Sequence, residues 1–89
     1  MKAVITVVGK DRVGIIAGVS NTLAANGVNI LDISQTILQG YFTMIMLTEI
    51  DSAVISIPDL QEKLDVIGTE LGLQIRVQHE DIFTAMHRI

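Results

Sequence analysis

An α+β fold, a four-stranded antiparallel sheet with two helices on one face, is predicted by three observations. Apolar residues recur first with strand-like and then with helical spacing, in the order strand, helix, strand, strand, helix, strand. A glycine, Gly27 or Gly72, closes each helical stretch. Gln39-Gly40 turns the chain after the second strand and a further apolar strand resumes at once, which implies a hairpin. With both remaining connections made through a helix, and right-handed as such crossovers are, the result is the βαββαβ, ferredoxin-like arrangement.

Each element has its own signature. Residues 3–8 are apolar and β-branched at nearly every position, as suits a strand covered on both faces in mid-sheet. Over residues 13–26, Ile15, Ile16, Val19 and Leu23 recur at helical spacing. Residues 28–38 alternate imperfectly, with Leu31, Ile33 and Ile37 on one parity and Asp32, Ser34 and Thr36 on the other. Residues 43–50 resume at once as a second apolar strand. Ser56, with Pro58 and Asp59 behind it, is a helix start, and Leu60, Leu64, Ile67 and Leu71 form one stripe. Residues 73–78 alternate Leu73, Ile75 and Val77 with Gln74, Arg76 and Gln78.

The chain reads as one domain over residues 1–80 with a tail, 81–89, forming a short docked helix on the stripe Ile82, Met86 and Ile89 beside Phe83. Of its 89 residues 49% are hydrophobic, and mean hydropathy is +0.53. A domain this small buries only about 60–65% of its unfolded surface, so the excess calls for a second surface. Met44, Ile45, Met46 and Leu47 state the problem locally, because whichever parity faces the helices, the other is still apolar. A homodimer or higher homo-oligomer, or the docked tail, would cover it.

A net charge of −4 and a pI near 4.8 argue against a broad electrostatic grip on nucleic acid or anionic lipid. There is no cysteine, hence no disulfide framework or thiolate metal site. The apolar runs are shorter than the roughly 18–20 residues of a membrane span, and the first strand lacks a signal-peptide cleavage pattern. A cytoplasmic protein is expected.

Gly9-Lys10-Asp11-Arg12-Val13-Gly14-Ile15 stands out as a ligand loop, a short polar turn between the first strand and the first helix. Its glycine lets a small anion approach the helix N-terminus closely. Plainer readings stand beside this one. Gly14 could serve close helix–sheet packing, Asp11 could cap the helix, Arg12 could be a solvated charge and Asn29 could take left-handed geometry after Gly27. His79 and His87 lack the i, i+4 spacing of a helical metal pair, and the sequence points to no cofactor.

The string GKDRVGIIAGVSNTLAANGVNILDISQTI, followed by Tyr41-Phe42-Thr43-Met44, resembles the ACT domain, a regulatory module that senses amino acids. The resemblance spans residues 2–78. It is similar in particular to the ACT modules of the glycine-cleavage repressor and formyltetrahydrofolate deformylase, and to small stand-alone bacterial ACT proteins. In amino-acid-binding members, such as the serine-sensing domain of phosphoglycerate dehydrogenase, the loop before helix one and the start of strand two contact the effector across a dimer interface. The resemblance therefore implies a ligand site at Asp11, Arg12, Val13, Gly14, Asn29 and Ile30. Gly9 and Asp11 replace a histidine and an asparagine of that serine site, so serine specificity is not implied. Asp11 suits an ammonium group, Arg12 a carboxylate, and the Asn29 amide both.

The function so implied is that of a small regulatory protein, not an enzyme, which binds an amino acid or related small carboxylate between protomers and signals to a partner protein. One alternative is a ligand-independent interaction or structural dimer. A second is an acylphosphatase-like hydrolase, which shares this topology and a glycine-bearing loop with an arginine after strand one. That chemistry needs a water-orienting asparagine on a neighbouring strand, where this chain offers only Thr43 and Thr48. RNA binding fares worse, since Tyr41 and Phe42 are adjacent and point to opposite faces with no basic surround.

Overall fold

The computed structural model of the chain describes residues 1–86. Its elements are β1 (Lys2–Lys10), α1 (Ile15–Ala25), β2 (Asn29–Leu38), β3 (Tyr41–Glu49), α2 (Ile57–Leu71), β4 (Leu73–His79) and α3 (Glu80–Met86). The strands form one antiparallel sheet in the order β2-β3-β1-β4. The predicted βαββαβ fold is thus observed, with β1 in mid-sheet as its composition requires. The molecule is a plate of 37 × 35 × 19 Å.

The core lies between the sheet and its two helices. Ala3, Ile5 and Val7 of β1, Phe42, Met44 and Met46 of β3, and Leu73, Ile75 and Val77 of β4 meet Ile15, Val19 and Leu23 of α1 and Leu60 and Leu64 of α2. The register fixes this choice of parity, because Ile5 pairs with Met46 and Val77, and Val7 with Met44 and Ile75. Thr48 is the one buried polar side chain among the described residues, and its hydroxyl donates to the Ala3 carbonyl at 2.8 Å.

The helix boundaries follow local chemistry. Ser56 caps α2 by accepting the Asp59 N–H at 3.2 Å, with Pro58 in the first turn. Helix α1 begins at Ile15, two residues later than its periodicity predicts, because Gly14 takes the N-cap position at φ 95°. No side chain caps that end, so Asp11 is not a helix cap. Gly14 is not a packing glycine either, since a Cβ there would meet nothing within 4 Å; its backbone conformation is what requires it. Asn29 lies in β2, and Gln39 is the only non-glycine with positive φ among the described residues. Gln39 and Gly40, at φ 53° and 81°, make the two-residue turn that joins Leu38 to Tyr41.

A bulge explains the imperfect alternation of β2. Ile30 pairs with Thr48 and Asp32 with Leu47, so Leu31 is an extra residue. Even-numbered Ile30 and odd-numbered Ile33 therefore share the helix side of the sheet, opposite Thr48 and Met46.

The far face of the sheet is only partly covered. Val8 and Ile45 are exposed there, whereas Val4 is buried at the end where α3 touches β1 and β4. Within the described part of the tail, α3 touches β1 and β4, and there Ile82 is exposed and Phe83 half-buried, so Phe83 and not Ile82 is the inward residue. The Met86 side chain and Ile89, expected on the same stripe, lie outside what the structure describes, as does His87.

Candidate functional site

Asp11, Arg12, Val13 and Gly14 form the turn between β1 and α1, and all four are exposed, Val13 at 97%. The turn is anchored at its first residue. The Asp11 N–H donates to the Gly40 carbonyl at 2.8 Å, which ties it to the β2–β3 hairpin. At its other end the Gly18 N–H reaches back to the Gly14 carbonyl at 2.9 Å and starts the helix. Between these bonds the start of α1 has no side-chain cap, and the exposed Asp11 and Arg12 lie in the turn that leads into it.

Asn29 and Ile30 are elsewhere. Asn29 pairs with Glu49, which in turn pairs with Lys2, so Asn29 marks the end of the sheet where β1 begins. It lines a shallow depression with Met1, Glu49 and Asp51, where the Met1 ammonium stands 3.4 Å from Glu49 Oε1 and donates to the Ile50 carbonyl. Ile30 is half-buried against the core. Residues 11–14 follow the last residue of β1, so the eight-residue rise of the strand, about 26 Å, separates the two halves of the expected site within one chain.

A two-fold partner would change this geometry. If β2 pairs antiparallel with β2 of a second copy, the Asn29 end of one strand lies beside the Leu38 end of the other. That end carries Gly40 and the Asp11 turn bound to it.

Other polar groups are committed. Thr48 is spent on the Ala3 carbonyl, and Thr43 lies on the opposite side of the sheet from it. His79 Nδ1 accepts the Asp81 N–H at 3.1 Å and lies 3.7 Å from Asp81 Oδ2. Sequence reading missed Gln61. Its amide lies across the outer edge of β4, where Nε2 donates to the Ile75 carbonyl at 2.7 Å and Oε1 accepts the Val77 N–H at 2.8 Å. A glutamine on a helix surface gives no sign of a partner strand that comes 14–16 residues later.

The ACT domain family model matches residues 2–78. The chain belongs to the ACT-domain family. A UPF0237 protein of Clostridium perfringens is 61% identical to this ACT domain over the whole of both chains. An ACT domain protein from Streptococcus pneumoniae superposes with a TM-score of 0.81 at 44% identity, covering 93% of each chain. A formyltetrahydrofolate deformylase from Pseudomonas syringae carries the same fold, with a TM-score of 0.80 at 27% identity over 88% of this chain and 27% of its own. No helix among the described residues is long and apolar enough to cross a membrane.

Proposed function

We propose that the protein is a regulatory homodimer that binds an amino acid or related small carboxylate between its protomers and presents the liganded state to a partner protein. The observation that carries this reading is the separation of the two half-sites. Asp11, Arg12 and Gly14 are exposed at one end of β2 and Asn29 at the other, an arrangement that yields two equivalent sites only when two copies pair. Membership of the ACT family supports the ligand class. Arg12 meets the carboxylate with its fork, Asp11 the ammonium, and the uncapped N–H groups behind Gly14 add an anion-binding surface. Asn29 of the other protomer completes the shell as both donor and acceptor.

Regulation follows from differential affinity. A ligand that contacts both protomers stabilises the dimer geometry in which the contacts are made, and a partner that reads that geometry responds to the ligand. The site offers no nucleophile–base pair, so the reading assigns binding and not catalysis. Thermal unfolding against each of the twenty amino acids tests it. A ligand at 100 times its Kd adds about 2.7 kcal/mol to stability, and a saturable shift from one member is expected. A flat response from an intact dimer would favour a ligand-independent interaction protein.

A further inference from the structure

Of the three asparagines, Asn21, Asn26 and Asn29, only Asn26 precedes a glycine. That pair carries latent chemistry. The backbone nitrogen of the following residue can attack the side-chain amide carbon and close a five-membered ring. Glycine, having no Cβ, neither blocks the approach nor restricts the backbone rotation that it needs. The new N–C bond replaces the bond to the amide nitrogen, which leaves with the Gly27 N–H proton as ammonia. Water then opens the succinimide at one carbonyl or the other, giving aspartate or isoaspartate.

The fold holds Asn26 in the wrong geometry for this step. It is the C-cap of α1, with φ −107° and ψ 15°. At that ψ the Gly27 nitrogen nearly eclipses the Asn26 nitrogen, whereas ring closure requires it to eclipse Cβ. Both reacting groups are engaged as well. The Gly27 N–H donates to the Ala24 carbonyl at 3.2 Å, and Asn26 Nδ2 donates to the Thr22 carbonyl at 2.8 Å. The Asn26 and Val28 N–H groups both donate to the Leu23 carbonyl, at 3.1 and 2.9 Å, and Leu23 and Val28 are buried in the core. Ring closure therefore waits for the end of α1 to open.

The products do not suit the place they occupy. Aspartate has no donor for the Thr22 carbonyl and sets a negative charge at the C-terminal end of the helix, where the dipole disfavours it. The depression that Asn26 lines already holds Asp59 and Glu62, against the single cation Lys63. Isoaspartate adds a main-chain carbon between residue 26 and Gly27, which moves the Gly27 and Val28 N–H groups off the Ala24 and Leu23 carbonyls.

We infer that Asn26-Gly27 is a site of spontaneous deamidation, gated by the C-terminal cap of α1, and that each conversion destroys the cap that restrained it. The reaction needs one chain and water, with neither ligand nor second copy.

Mass spectrometry of the full chain at mildly alkaline pH, folded and in urea, tests it by reading the exchange of NH2 for OH, with fragment ions placing the change. In urea Asn26 should convert ahead of Asn21 and Asn29. In the folded chain it should convert at least about tenfold more slowly, the population of open helix ends setting the rate. Ala24→Gly, at an exposed position in the last turn of α1, should speed conversion of the folded chain about fivefold and leave the rate in urea unchanged. Asn26→Asp stands in for one product and should unfold at a lower temperature than Asn26→Ala, which removes the donor without adding charge. Equal rates folded and in urea, conversion of Asn21 or Asn29 ahead of Asn26 in urea, an unchanged folded rate in Ala24→Gly, or an Asn26→Asp variant as stable as the parent would each overturn the inference. The two rates of the parent chain decide the matter if a variant does not fold.

Discussion

Gly68 of α2 lies against the main chain of β4: a Cβ at that position would stand 2.8 Å from the carbonyl oxygen of Leu73. Close approach of α2 to the strand lets Gln61, two helical turns earlier on the same face, reach Ile75 and Val77. Helix propensity alone favours Gly68→Ala by about 1 kcal/mol. The clash is with backbone, and overpacking of that kind costs about 1–3 kcal/mol. Net destabilisation of up to about 2 kcal/mol is expected in a urea titration, with Val77 amide protection reduced.

Gly14→Ala tests a different cause. Nothing obstructs the new methyl, so the cost is the left-handed backbone alone, about 1–2 kcal/mol. Asn tolerates that region better, and Gly14→Asn should lose less in the same denaturation experiment. Equal losses from the two variants would contradict the assignment.

Adjacent residues of β3 should respond very differently. Met44 is buried under the helices and Ile45 faces the open side. Met44→Ala is expected to cost about 2–5 kcal/mol. Ile45→Ala should cost under about 1 kcal/mol in the isolated chain. Denaturation midpoints at unchanged m values give the comparison.

Ser56→Ala removes the side-chain acceptor at the start of α2. A loss of about 1 kcal/mol is expected by thermal unfolding, and Ser56→Asp, which keeps an acceptor there, should recover most of it.

Much of this fold was legible because hydrophobic period and turn chemistry agree. The Gln39-Gly40 turn, the Ser56 cap and the stripe ending at Leu71 each state one local rule and obey it. β2 was less legible. One inserted residue at Leu31 reverses the parity, and a bulge leaves no mark in the sequence except alternation that fails. The start of α1 was also misjudged, since Val13 fits the helical spacing but the chain turns left-handed at Gly14.

The candidate site was legible as residues and not as a place. Asp11 and Asn29 are both exposed and polar, yet their separation along β2 emerges only from strand register. Gln61 was not legible at all. Its partners are backbone groups, whose positions no side-chain pattern reports.

The central claim is that each ligand site takes residues from two protomers. Asp11→Ala and Asn29→Ala change exposed side chains, so each should fold with stability within about 0.5 kcal/mol of the parent. Each homodimer should lose the ligand-induced rise in unfolding temperature. When the two variants are unfolded together and refolded as mixed dimers, one site carries both substitutions and the other carries neither. Calorimetric titration of the mixed dimer with the amino acid identified by the thermal screen should therefore recover one site per dimer at parental affinity. Failure to recover any binding in verified mixed dimers would contradict a site shared between protomers.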